Sequence, residues 1–184
     1  MRIVAGSAKG VRLGPVPRGV RPVSDMAREG VFSSLGALVE GARVLDLYAG
    51  TGAMAIEALS RGAAHAVLVE RDRSAARAIR DNLVRTRVAS SAEVVVSRVA
   101  SFLDGAGASA APFDLVLVDP PYATPAPELE AMLAALGSGR VLGPDWRVVL
   151  TRPKAASTLV IPVHWLVARR LSYGDTRALI FQEA

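Results

Sequence analysis

The quartet Asp119-Pro120-Pro121-Tyr122 brings together a carboxylate, a carbonyl held in place by the proline that follows it, and an aromatic ring. These groups suit chemistry at an amino group conjugated to a nucleobase. Such a nitrogen is a poor nucleophile, because its lone pair is delocalised into the ring. Two acceptors that take its N–H hydrogen bonds, here the Asp119 carboxylate and the Pro120 carbonyl, favour the pyramidal amine and aim its lone pair at an electrophile. Pro121 fixes φ near −65° and so stiffens the loop. Tyr122 then offers a face on which a base drawn out of its helix can stack.

A second constellation lies upstream. Asp46-Leu47-Tyr48-Ala49-Gly50-Thr51-Gly52 is an Asp-x-x-x-Gly-x-Gly turn between an apolar strand and a helix. Its glycines allow close approach of backbone to a ligand, and a helix amino terminus faces that ligand. Glu70 closes the next expected strand, where a carboxylate can accept both hydroxyls of a ribose, and Arg71 follows it. The spacing Gly50-x-Gly52-x-x-Ala55 also fits the dinucleotide fingerprint, so a nicotinamide- or flavin-binding oxidoreductase is the rival reading. Ligand charge separates the two. A pyrophosphate beside Asp46 meets like charge, whereas the ammonium of S-adenosylmethionine is attracted. Asp46 therefore favours S-adenosylmethionine, and an oxidoreductase has no use for the Asp-Pro-Pro-Tyr quartet.

The elements that position these groups follow from pattern. Residues 113 to 118 are a continuous apolar run apart from Asp114, which suits a strand covered on both faces, and the two prolines end it. Strands are also expected over 43 to 49, 66 to 70, 93 to 97 and 146 to 151. A final antiparallel pair, 166 to 171 and 178 to 182, flanks a turn at Ser172-Tyr173-Gly174-Asp175-Thr176. Helices are expected over about 25 to 39, with Ser24 as N-cap and Ala27, Val31, Leu35 and Leu38 inward, and over 53 to 59, 74 to 87, 100 to 103 and 127 to 136. Residues 105 to 112 read as a loop of small residues. This alternation predicts an α/β, Rossmann-like, doubly wound and mostly parallel sheet with an antiparallel C-terminal strand.

The 184 residues are 51% hydrophobic and carry a formal charge of +5, so one domain with a sizeable core and a polyanionic partner are both expected. Residues 1–23 differ from the rest: Arg2, Lys9, Arg12, Arg18 and Arg21 alternate with glycines and prolines, and no acidic residue appears before Asp25. We read this as a short basic β-hairpin extension that contacts phosphates, and residues 24–184 as the catalytic domain. Arg28 continues the basic series. The chain has no cysteine, which excludes disulfides and thiol catalysis, and its two histidines lie far apart, so no metal site is expected. The amino terminus has no signal-peptide pattern and no run approaches membrane-spanning length, which points to the cytoplasm. A monomer is expected.

Asp119-Pro120-Pro121-Tyr122 resembles the (Asp/Asn/Ser)-Pro-Pro-(Tyr/Phe/Trp) motif of the S-adenosylmethionine-dependent amino-group methyltransferases. The whole chain resembles the bacterial 16S rRNA guanine-N2 methyltransferases of the RsmD type. The match runs through Arg2-Ile3-Val4-Ala5-Gly6, Arg21-Pro22-Val23-Ser24-Asp25-Met26-Ala27-Arg28-Glu29, both motifs above, Glu57-Ala58-Leu59-Ser60-Arg61-Gly62 and Tyr173-Gly174-Asp175-Thr176. The resemblance implies methyl transfer to N2 of one guanine in the 16S rRNA of an assembled or assembling small subunit. It also implies that Asp46, Tyr48, Gly50, Thr51 and Gly52 hold the methionine part of S-adenosylmethionine, that Glu70 binds its ribose, and that Asp119, Pro120, Pro121 and Tyr122 hold the base.

Three positions depart from the family pattern. Val99 stands where an acidic residue often meets the adenine amino group, which leaves that contact to backbone near Val99 or Ala100. Met26 stands where Arg is common, and Gly30 interrupts the first helix. DNA adenine-N6 methylation and a non-catalytic RNA-binding assembly factor are the alternatives.

Overall fold

The computed structural model describes residues 1–15, 23–105, 112–138 and 141–184. Continuous apolar runs become the inner strands: β1 (Arg43–Leu47), β2 (His65–Glu70) and β4 (Phe113–Val118) are buried along nearly their whole length. With β3 (Ala92–Val96), β5 (Leu142–Pro153), β6 (Trp165–Tyr173) and β7 (Thr176–Glu183) they make one seven-stranded sheet of order β3-β2-β1-β4-β5-β7-β6. The first five strands run parallel, β7 is antiparallel to β5, and β6 is antiparallel to β7.

Two apolar cores lie on the two faces. α1 (Asp25–Leu35), α2 (Ala53–Ser60) and α3 (Arg73–Arg85) bury Phe32, Ile56 and Ile79 against Val44, Leu115 and Val149. α4 (Val99–Asp104) and α5 (Ala126–Leu136) bury Phe102, Leu129 and Leu133 against Leu45, Val116 and Val148. Each fully buried Leu, Ile or Phe contributes about 1.5–3 kcal/mol, and alternation along β1 and β4 feeds both cores at once.

Helix starts follow local chemistry. The Ser24 hydroxyl accepts the Ala27 N–H, and Asp72 likewise caps α3 by accepting from Ala75. Pro127 occupies the first turn of α5, where its missing N–H costs nothing. α1 ends at Leu35, because Gly36 takes φ +57° and the chain tightens into a 3-10 turn over Gly36–Val39. Leu38, expected inward on a continuous helix, is consequently 46% exposed.

The amino-terminal hairpin is present as a short antiparallel contact between Arg2 and Arg12, with Ile3 N–H donating to Val11 O and Gly10 N–H to Ile3 O. It does not stand off as an arm. Ile3, Ala8 and Leu13 are buried in the core that α1 and α2 share, so no gap in packing separates residues 1–15 from the domain. Arg18 and Arg21 lie outside the described residues.

Candidate active site

The sheet order reverses between β1 and β4, and in open α/β sheets the crevice at such a switch point receives ligands. Register places Leu47 opposite Val118 and Val69, so the turns after β1, β2 and β4 open into one space. A cleft of about 970 Å³ fills it. Asp46, Tyr48, Gly50, Thr51, Glu70, Arg71, Val99, Ala100 and Asp119-Pro120-Pro121-Tyr122 all line this cleft, as do Val23, Ser97, Arg98 and Glu128.

The turn after β1 is held open by unusual backbone. Tyr48, Gly50 and Gly52 have φ of +63°, +58° and +75°. The left-handed region is easy for glycine, but for Tyr48 it is a strained conformation kept by its surroundings. A Cβ on Gly52 would also press on Leu68 and Ile79 at 3.2 Å. Buried Asn82 ties the turn down from α3: its amide donates to Thr51 O at 3.0 Å and its carbonyl accepts the Gly14 N–H at 2.8 Å. Asn82 was not legible as a site residue, since it belongs to no motif and lies well inside a helix, away from the cofactor turn in sequence.

Asp46 is 1% exposed and accepts the Ala55 N–H at 3.1 Å. Burial first, then the charges of Asp119 and Glu70, push its carboxyl from 3.8 up to about 8, against the Ala55 hydrogen bond. The ligand-free protein therefore holds a proton there near neutral pH, and a cation brought beside Asp46 would favour the ionised carboxylate. Glu70 accepts Gly50 N–H at 2.9 Å on one oxygen and Asp72 N–H at 2.8 Å on the other. Each oxygen keeps a second lone pair, so the pair can still accept two ribose hydroxyls. Tyr48, expected only as a cofactor contact, also hydrogen-bonds to Glu128 of α5; burial and then that carboxylate push its hydroxyl up to about 12, so it stays a neutral donor. The cation site, the paired acceptors and the cleft volume together fit S-adenosylmethionine.

Across the cleft, Asp119 is half-buried, Pro120 buried and Tyr122 42% exposed. The Thr151 hydroxyl donates to Asp119 Oδ1, and the Tyr122 hydroxyl is 3.0 Å from Thr176 Oγ1. Neither threonine could be assigned from spacing alone, because their placement depends on the register of β5 against β4 and of β7 against β5.

Two expectations about α1 change. Arg28, expected to contact RNA, is fully buried: it donates to Val23 O and Arg2 O, pairs with Asp25 at 2.8 Å, and lies 3.8 Å from the buried carboxylate of Glu57. It holds the hairpin to the helices and has no face to offer a phosphate. Gly30, expected to interrupt the helix, instead lies inside an unbroken α1 and makes room for Tyr173: a Cβ there would stand 1.8 Å from the Tyr173 hydroxyl. Lys9 and Arg12 are exposed on the hairpin, and Met26 is 64% exposed near the start of α1.

A doubly wound sheet with β7 inserted antiparallel, and a cleft lined by an Asp-x-x-x-Gly-x-Gly turn and an Asp-Pro-Pro-Tyr loop, define the class: this is the fold of the S-adenosylmethionine-dependent methyltransferases. Within that class, the chain belongs to the family described as conserved hypothetical protein 95, the RsmD family, whose profile matches residues 1–182. The ribosomal RNA small subunit methyltransferase D of Escherichia coli K12 is 34% identical over 184 residues, covering 99% of this chain and 89% of that protein. The solved structure of the Escherichia coli protein yhhF superposes with a TM-score of 0.87 at 34% identity, over 100% of this chain and 97% of that one. A solved protein of Thermus thermophilus gives a TM-score of 0.81 at 35% identity, over 98% of each chain. Among the described residues, no helix is long and apolar enough to cross a membrane, and no cluster of three or more His, Cys, Asp or Glu could hold a metal ion.

Proposed function

We propose that this protein transfers a methyl group from S-adenosylmethionine to the exocyclic N2 of a guanine in the 16S rRNA of the small ribosomal subunit. The observation that carries the reading is that Asp46 and Glu70 line the same cleft as Asp119-Pro120-Pro121-Tyr122. The resemblance to the guanine-N2 family supplies the choice of base and atom. The match to a relative named for small-subunit rRNA supports the choice of RNA.

When bound, S-adenosylmethionine supplies an electrophilic methyl group on a sulfonium that is its own leaving group. Asp46 pairs with the ammonium of the methionine part, while Tyr48 and the Gly50-Thr51-Gly52 backbone enclose that end. Glu70 accepts the ribose hydroxyls, and Arg71, Val99 and Ala100 border the adenine end. Tyr122 stacks on the flipped guanine. Asp119 and the Pro120 carbonyl accept hydrogen bonds from its N2 amino group, which localises the nitrogen lone pair and points it into the cleft for in-line displacement.

The test is transfer of labelled methyl to three substrates in parallel: unmodified small ribosomal subunits, naked 16S rRNA and unmethylated DNA. Label recovered from subunit RNA as N2-methylguanine is the expected result. Label on DNA adenine alone would move the activity to N6 of adenine, and cofactor binding without transfer would indicate an assembly factor.

A further inference from the structure

The reaction loop is gripped at both ends by side chains that lie outside either motif. At its first residue, Thr151, 2% exposed at the carboxyl end of β5, donates to Asp119 Oδ1. At its last, Tyr122 meets Thr176 at the start of β7. Either hydroxyl can be the donor in this second bond. Thr176 Oγ1 also lies 3.4 Å from Asp175 Oδ1, a carboxylate that only accepts. Tyr122, Thr176 and Asp175 thus form a short chain of hydroxyl and carboxylate contacts at the mouth of the cleft.

Both threonines sit on one continuous brace. The ladder between β5 and β7 pairs Thr151 with Ala178 and Pro153 with Thr176, and Lys154 N–H donates to Asp175 O at 2.8 Å. The same turn sends Tyr173 against α1 at Gly30, where there is no side chain to resist it. The C-terminal antiparallel strands thus connect the reaction loop to α1.

We propose that Thr151 and Thr176 are positioning residues that set the Asp119 carboxylate and the Tyr122 ring in their working orientations. Thr151 holds Oδ1 from the β5 side and so fixes the rotation of the carboxylate about its Cβ–Cγ bond. Thr176 fixes the tilt of the ring on which the base stacks. The inference rests on the proposed methyl transfer for its kinetic consequence, but its structural consequence is readable without activity.

The experiment compares Thr151→Val and Thr176→Val, which keep shape and remove the hydroxyl, with Thr151→Ser and Thr176→Ser, which keep it. Hydrogen exchange at the Thr124 amide, which donates to Pro121 O at 2.9 Å within the reaction loop, is expected in the ligand-free protein to quicken in both valine variants and to return towards wild type in the serine variants. In methyl transfer, Thr151→Val is expected to lower kcat roughly 10-fold or more, with the S-adenosylmethionine Kd unchanged, because a small misplacement of a reacting group costs rate rather than binding. Thr176→Val is expected to raise the KM for RNA. Serine variants that recover these values would support positioning by the hydroxyl. Unchanged exchange in the valine variants would overturn the proposal whatever the activity, and so would serine variants as impaired as the valine ones. If the wild type transfers no methyl group, the proposed function fails, and the exchange data alone decide the brace.

Discussion

Asp46 concentrates the electrostatics of the site in a single residue. Its carboxyl is raised from 3.8 to about 8 by burial, so the folded protein holds a proton that the unfolded chain releases. Its contribution to stability is intact below 3.8 and is lost as pH rises towards about 8. Asp46→Asn, which keeps an acceptor for Ala55 N–H, should match the ligand-free wild type in stability near pH 4 and exceed it by a few kcal/mol near pH 9, as measured by urea unfolding. Equal differences at the two pH values would remove this account. The same variant should lose cofactor affinity, because the ammonium then meets a neutral amide. Asp119→Ala should leave cofactor Kd nearly unchanged and lower kcat roughly 10²-fold or more, since the acceptor acts on the target amine during reaction. Near-normal kcat would assign the amine to other groups. Both aspartates were legible from sequence because motif spacing marks them. Thr151 and Glu128 were not, because their roles arise only when β5 and α5 are folded beside β4.

The joints between elements depend on buried charge. Glu57, wholly buried on α2, accepts Val4 N–H at 2.8 Å and Ala5 N–H at 3.0 Å, pairs with Arg61 at 2.8 Å and faces Arg28. One turn on, Ser60 accepts Ala8 N–H and donates to Ala5 O. The amino-terminal hairpin is therefore stitched to the helix that starts at the cofactor turn. Glu57→Ala should cost about 3 kcal/mol or more, read by urea unfolding, because it strands the buried Arg28 and two backbone donors. A loss within about 0.5 kcal/mol, the range of an ordinary surface substitution, would mean that Asp25 alone compensates Arg28. Arg28 shows where charge misled pattern: with Val31, Phe32 and Leu35 it completes an i, i+3, i+4, i+7 stripe facing inward. Arginine in that stripe reads as surface because its partners, Glu57 and the Val23 and Arg2 carbonyls, are distant in sequence or in a loop. The strands were clearer, since their apolar runs admit few alternatives. β5 is longer than expected because Gly143-Pro144-Asp145 looks like a turn, yet an irregularity in register between Phe113 and Leu115 takes it into the strand.

On the scale of the whole molecule, carboxyl groups gather in the cleft of a chain whose net charge is positive. The formal charge is +5, yet five acidic residues, Asp46, Glu70, Asp72, Asp119 and Glu128, line the cleft against two basic ones, Arg71 and Arg98. An acidic cleft suits a cofactor that brings an ammonium and a sulfonium; phosphates must then be met outside it, on the basic exterior. Lys9 and Arg12 are exposed on the hairpin that Glu57 and Ser60 anchor. If they contact RNA, each neutralised contact should reduce the log–log salt slope of binding by about 0.7–0.9. The Lys9→Gln and Arg12→Gln pair should flatten the slope by roughly 1.5 while leaving the S-adenosylmethionine Kd unchanged, because the cofactor's partners are buried and weakly screened. Filter binding of 16S rRNA across a salt series measures the first, and calorimetry the second. Identical slopes for wild type and the double variant would place the phosphates on another surface, whereas a changed cofactor Kd would mean that the hairpin substitutions had reached the turn after β1 through Gly14 and Asn82.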